Sequence, residues 1–320
     1  MDKSLKLYSF NLLLLAMSWG CDRDEPINKV RPIEIQNGSS IEKKKVFTST
    51  YVLQELVEDL VNSDQVDVNP IFTMTKEDPS LSEPSIKVIN ALQKADLIVL
   101  NGARFEQGLT TIDLPRAKVI KTAQKFKDHW LSYPKRFQAE HQHGPQGKHQ
   151  HQGIDGHTWL NPELLLEQVK QLRMALNKKK LIPNQKSYRG LESKIQRLKN
   201  QWLALVPRLK GAILISNHPA YQYLAKFLKI DIHAFDFSPN EIPQDDVIDG
   251  INNFLEQHNV TSKKVILLWE APPTEKVKNV FNKYGNIQHL TISPLEKPPR
   301  NKSIFEIWEK EIITLEKALK

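Results

Sequence analysis

Cysteine is almost missing from this chain: among 320 residues only position 21 carries one. A single thiol allows no internal disulfide framework and no thiolate cluster, so any bound metal has to be held by His, Asp, Glu or water. A membrane-spanning run is missing too. The apolar stretch at residues 10–17, with Leu12 to Leu15 at its heart, is far shorter than the ~20 residues a spanning helix needs. There is no Arg-rich helix, no aromatic-plus-basic RNA motif and no zinc-finger spacing. The net charge of +8 therefore reads as a solvated cationic surface, with weak attraction to anionic lipid and no nucleic-acid partner. Neither a His-Glu-x-x-His helix nor a nucleophile elbow is present, so an enzyme is not expected.

What is there begins with a targeting segment. Lys3 and Lys6 precede the short apolar run, which fits a signal peptide at residues 1–20. Cys21 follows Ser18-Trp19-Gly20 and reads as a lipoprotein processing site, with the Cys as the lipidated first residue of the mature chain. Residues 21–43, polar and carrying Pro26, Pro32 and Gly38, read as a lipidated tether. The expected location is the cell envelope, periplasmic or outer surface, on a lipid anchor.

Eight short apolar, β-branched runs are expected as strands: 45–49, 68–72, 97–101, 117–121, 212–216, 231–235, 265–269 and 287–292. Helix-period segments separate most of them, at 52–61, 84–94, 219–228, 243–258 and 274–283, and a final amphipathic helix is expected at 303–319. Strands alternating with helices argue for parallel sheets. The fold class is α/β: two lobes, each with a roughly four-stranded parallel sheet and flanking helices. Between them Asn161 and Pro162 open one helix. A longer one follows, roughly 33 Å at 1.5 Å per residue, with Tyr188, Leu191, Ile195, Leu198, Trp202 and Leu205 along one stripe. It reads as a rigid strut. The expected domains are an N-terminal lobe at 44–182, a linking helix at 183–207 and a C-terminal lobe at 208–320, for a monomer.

Residues 140–153 form a His-rich loop, with His141, His143, His149 and His151 among Gln, Gly and Lys. A tract this polar has nothing to bury, and neutral imidazole is a common ligand for divalent transition metals. In open parallel sheets ligands bind beyond the carboxyl ends of the strands. Two such regions, from different halves of the chain, present a histidine, His157 and His218, expected to face each other across a cleft. His129, His233, His258 and His289 fit no site pattern and read as structural. Trp159 and Tyr221 read as cleft wall or core.

Several ordered motifs then carry a family resemblance over most of residues 44–296. They are Glu83-Pro84-Ser85, Ala95-Asp96-Leu97-Ile98-Val99-Leu100-Asn101-Gly102 with Glu106, and Asp155-Gly156-His157-Thr158-Trp159-Leu160-Asn161-Pro162. Asn217-His218-Pro219-Ala220-Tyr221-Gln222-Tyr223, Ser238-Pro239-Asn240-Glu241-Ile242-Pro243 and Ser293-Pro294-Leu295 follow. The chain resembles the metal-binding solute-binding lipoproteins of bacterial ABC importers for zinc and manganese. That resemblance implies two lobes joined by a long helix, a divalent ion in the cleft and delivery to an ABC permease in the membrane. It also marks departures: the family's usual first His and last Asp ligand positions are occupied by Ser80 and Ser293. His157 and His218 remain as the main ligands, with Glu77, Asp78 and Glu270 as candidate substitutes, Glu83 as another carboxylate near the Ser80 position, and the tract histidines as an accessory set. His218, where manganese-type members tend to carry Glu, points to zinc over manganese, because imidazole suits zinc. The competing expectation is a divergent paralogue that kept the fold, lost the standard site and acts as a surface interaction protein or binder of another ligand.

Overall fold

The computed structural model describes residues 42–72, 80, 82–134, 141–142, 148–149, 153–181, 185–258, 263–284, 287–296 and 302–320. Within the body from residue 41 onward lie two four-stranded sheets, parallel throughout. The first contains β1 (Lys44–Thr48), β2 (Val66–Pro70), β3 (Leu97–Leu100) and β4 (Val119–Lys121), in the order β2-β1-β3-β4. β5 (His141–Gln142) and β6 (Lys148–His149) form a minimal antiparallel ladder in the His-rich segment, pairing positions 141 and 149. The second sheet contains β7 (Ile213–Ser216), β8 (His233–Ala234), β9 (Val265–Trp269) and β10 (Ile287–Thr291), in the order β10-β9-β7-β8. The central strands β3, β7 and β9 are buried along their whole length. This is why they read as unbroken apolar runs: both faces are covered by helices.

The helices are α1 (Tyr51–Leu60), α2 (Ile86–Lys94), α3 (Pro162–Lys178), α4 (Gln185–Leu209), α5 (Gln222–Leu228), α6 (Asp245–Gln257), α7 (Glu275–Phe281) and α8 (Ile304–Ala318). Local chemistry sets their starts. Thr50, Ser85, Asn161, Thr274 and Ser303 each accept a backbone N–H in the first turn of the helix that follows. Ser303 and Glu306 complete a reciprocal capping box. The structure extends the linking helix beyond the expected 183–207 to Leu209, past Pro207. Proline removes one N–H from the helical ladder, but Leu205 and Leu209 on either side stay buried and hold the last turn in place.

At 1.5 Å per residue α4 is about 37 Å long, and it packs against α1 and α3 on one side of the fold and α5 and α8 on the other. Its stripe of Tyr188, Leu191, Ile195, Leu198, Trp202 and Leu205 belongs to one continuous core. That core also includes Val46, Leu56 and Leu172 from the first half and Leu214, Leu268 and Trp308 from the second. The two sheets are thus tied through a shared apolar seam, which resists wide hinge opening. Among the described residues, no helix is long and apolar enough to cross a membrane.

Candidate metal centre

The carboxyl ends of the second sheet deliver a polar group from every strand. β7 runs into Asn217 and His218, β8 into Asp236, β9 into Glu270, and β10 into the segment that ends at Glu296. From the first half comes His157, in the loop before α3. His157 and His218 are both buried, and their rings stand edge to face with centroids 5.8 Å apart. Glu296 Oε1 meets His157 Nε2 directly. His157, His218 and Glu296 each offer one ligand atom, and these atoms lie within 4.8 Å of one another.

His157 is oriented by a carboxylate at its Nδ1. His157 Nδ1 lies 2.7 Å from Asp155 Oδ1, which also accepts the His157 backbone N–H at 2.9 Å. Asp155 is itself fully buried and held from both halves of the fold: the Tyr133 hydroxyl donates to Oδ1 at 3.3 Å and Gln222 Nε2 to Oδ2 at 3.0 Å. The Tyr223 hydroxyl donates to the Asp155 carbonyl at 3.1 Å while accepting from the Leu131 N–H at 3.0 Å. Such a carboxylate behind an imidazole fixes its tautomer and raises its basicity. Burial alone lowers the His157 pKa, but the adjoining Asp155 and Glu296 carboxylates outweigh it and hold the group well above its usual value. His218 Nδ1 faces Asp236 Oδ1 at 3.9 Å and Glu270 Oε2 at 3.8 Å. Asn217 fixes Glu270 by accepting its backbone N–H at 2.9 Å.

The floor under His157 comes from an unusual turn. Gly102, Ala103 and Arg104 all have positive φ, of 80°, 50° and 61°. A left-handed stretch through two non-glycine residues is unfavourable unless its surroundings hold it. Glu106 does so: its buried carboxylate accepts the Ser49 hydroxyl and the N–H groups of Asn101 and Gly102. Burial raises the pKa of Glu106 despite these bonds. The turn aims Phe105 at His157, with ring centroids 6.1 Å apart, and at Trp159, 5.1 Å apart. Asn101 accepts from Gln168 and Thr158 and donates to the Gly156 carbonyl, fixing the loop on the other side.

The expected site residues divide as follows. The structure brings His157 and His218 together. Glu270, expected as a substitute ligand, lies 3.8 Å from His218 Nδ1 and is not part of the group of three. Ser293 Oγ accepts the Leu295 N–H at 3.1 Å, and the Ser80 carbonyl accepts the Gln107 N–H at 3.0 Å. Glu83 is exposed. Glu77, Asp78, Cys21, His143 and His151 lie outside the described residues, and for His141 and His149 only the backbone is described. Trp159 and Tyr221 are both buried, donating to the Pro294 carbonyl at 2.7 Å and the Ile292 carbonyl at 2.6 Å. Burial keeps the Tyr221 phenol protonated by raising its pKa well above the ordinary value. His233 stacks on Phe254, His258 Nδ1 bonds the Phe254 carbonyl at 2.7 Å, and His289 accepts from Trp269 Nε1 at 3.1 Å.

Sequence reasoning missed Glu296, Asp155 and Asp236. The signal for Glu296 was its place in the loop after the last strand, three residues beyond Ser293. Asp155 lies two residues before His157, and spacing alone does not mark it as the group that holds the imidazole.

The profile of the periplasmic zinc-uptake complex component A family, ZnuA, matches residues 46–318. No curated protein matches the chain significantly. Among solved structures, the metal-dependent lipoprotein YcdH of Bacillus subtilis superposes with a TM-score of 0.69 at 19% identity, over 86% of this chain and 98% of that one. The Zn(II)-bound ZnuA-like domain of AdcA from Streptococcus pneumoniae gives 0.67 at 20% identity, over 87% and 99%. Laminin-binding protein Lmb of Streptococcus agalactiae, described as a bifunctional protein with adhesin and metal-transporting activity, gives 0.63 at 21% identity, over 87% and 100%. The two four-stranded parallel sheets are shared with these folds, and the profile spans both. The chain belongs to the family of the periplasmic component A of zinc-uptake complexes, the solute-binding proteins of ABC-type metal importers.

Proposed function

We propose that this chain captures Zn²⁺ as cargo on His157, His218 and Glu296 and passes it to a membrane permease. The observation that carries the reading is the meeting of those three groups, contributed by both halves of the fold, within 4.8 Å. Two imidazoles and a carboxylate are a donor set suited to zinc. His157 would bind through Nε2, because its Nδ1 is committed to Asp155. His218 would add a second imidazole nitrogen, with the Asp236 and Glu270 carboxylates 3.9 and 3.8 Å from its Nδ1. Three protein ligands leave a fourth tetrahedral position open to water, the coordination of an ion that must be given up rather than kept.

Glu296 also weighs against the competing reading of a paralogue without a site. The carboxylate that Ser293 lacks is supplied three residues later. The continuous core through α4 favours capture with small lobe movements. The remaining parts of the proposal are Cys21 as a lipid anchor on the envelope, residues 21–43 as a tether, a monomeric body of two lobes, and residues 140–153 as a weak accessory zinc collector.

Titration calorimetry on tag-free, chelator-treated protein tests this. The double substitution H157A/H218A should abolish tight zinc binding, whereas deletion of 140–153 should remove only weak additional sites. Loss of all binding on the deletion alone would place the ion in the tract and refute the cleft assignment.

A further inference from the structure

The segment that carries Glu296 is held at nearly every backbone polar group. The Ile292 N–H donates to the Trp269 carbonyl at 3.0 Å, and the Ile292 carbonyl accepts the Tyr221 hydroxyl. The Ser293 N–H is shared between both carboxyl oxygens of Glu311, each at 3.1 Å, and the Ser293 carbonyl accepts Trp308 Nε1 at 3.3 Å. Pro294 has no N–H, and its carbonyl accepts Trp159 Nε1. Leu295 donates to Ser293 Oγ, is buried, and sits at φ 59°, a conformation that a branched residue adopts only when its surroundings impose it. Glu296 follows at once, aimed at His157.

Two of these restraints come from α8, one turn apart, and α8 is itself anchored to the first half of the fold. Glu55 of α1 accepts the Ser303 hydroxyl and the Ile304 N–H at the start of α8. The helix therefore bridges α1, which packs on the first sheet, to the loop that supplies a carboxylate from the second.

We propose that Trp308 and Glu311 are positioning residues for the ion: they hold the Ser293 peptide so that the left-handed step at Leu295 turns Glu296 onto His157 Nε2. Neither touches the ion. Their contribution is to pre-pay the ordering of a ligand that would otherwise sample solvent. This rests on the zinc reading above and names residues that act on that site from behind it.

The test uses the full chain, zinc alone as the probe and a competing chelator to read the tight site, alongside thermal unfolding of the zinc-free protein. Trp308→Phe removes the donor and keeps a ring, while Glu311→Leu removes the acceptor. Each should weaken zinc binding by ~10–100-fold, the usual effect of losing a partner that orients a metal ligand. Glu311→Gln keeps an acceptor for the Ser293 N–H and should bind as the parent chain does. Ile312→Val, on the same helix and buried in the core, should lower the melting temperature without moving the affinity. Parent-like affinity in both Trp308→Phe and Glu311→Leu overturns the proposal, as does an equal affinity loss in Ile312→Val. Unchanged binding in H157A/H218A would instead overturn the zinc site itself.

Discussion

Raising the pH should destabilise the zinc-free chain through Glu311, and replacing this residue by Gln should remove that sensitivity. Burial pushes the Glu311 pKa from 4.5 up to about 8, with the Ser293 N–H offsetting only part of the shift. The folded state therefore holds a proton on Glu311 that the unfolded state has released between these values. Stability is complete below the unfolded pKa and is lost as pH rises through about 8. Three and a half pH units at about 1.36 kcal/mol each give an upper figure of about 5 kcal/mol, and the remaining solvent contact of the side chain reduces it to about 3–5. With about 2.1 cal/mol/K of unfolding entropy per residue over a body of about 280 residues, that corresponds to about 5–8 °C in melting temperature. The assay is thermal unfolding by circular dichroism from pH 5 to pH 9, with the parent chain and E311Q side by side. The two should melt together near pH 5 and separate towards pH 8.5, the parent chain falling below the variant. His157 titrates in both proteins, so its contribution cancels in the difference. Parallel curves across the whole range would refute the assignment of a buried, proton-holding carboxylate behind Ser293.

Other outcomes follow from the same contacts. In the proposed site Glu296→Ala removes a ligand rather than a supporting group, so its zinc affinity, read by chelator competition, should fall beyond the ~10–100-fold lost with an outer partner. Asp155→Asn should stay within that smaller range while leaving the fold intact, since Tyr223 still bonds the backbone carbonyl; unchanged affinity would argue against an orienting role. Gly156→Ala would place a Cβ 2.8 Å from the Phe105 side chain and 3.0 Å from its Cα. It should cost about 1–3 kcal/mol in denaturant unfolding and weaken zinc by displacing the floor under His157. Glu55→Ala strands the Ser303 hydroxyl and the Ile304 N–H at the start of α8. A loss of about 1–3 kcal/mol in the same unfolding measurement is expected.

The fold was legible where burial leaves a mark on residue order. Continuous apolar runs such as Ile213 to Ile215 are strands covered on both faces, and every expected strand overlaps an observed one. The stripe from Tyr188 to Leu205 is a helix that packs on both halves of the fold. Strand ends were less legible, because the last residues of a strand pair through backbone groups that carry no side-chain signature. The His-rich segment, all polar, gave no reason to expect even the two-residue ladder at 141–142 and 148–149.

For the site, the sequence by itself determined which histidines could matter, because the open ends of parallel strands limit where a ligand sits. It also determined that the metal, if held, must be held without thiolate. Only the tertiary structure decided the rest. Whether Ser293 empties the site depends on where the next carboxylate points, and that depends on a left-handed backbone step at Leu295. No local preference of leucine favours that step. It exists because Trp308, Glu311, Tyr221 and Trp159, which lie 15, 18, 71 and 135 residues away from their partners in the chain, converge on Ile292, Ser293 and Pro294.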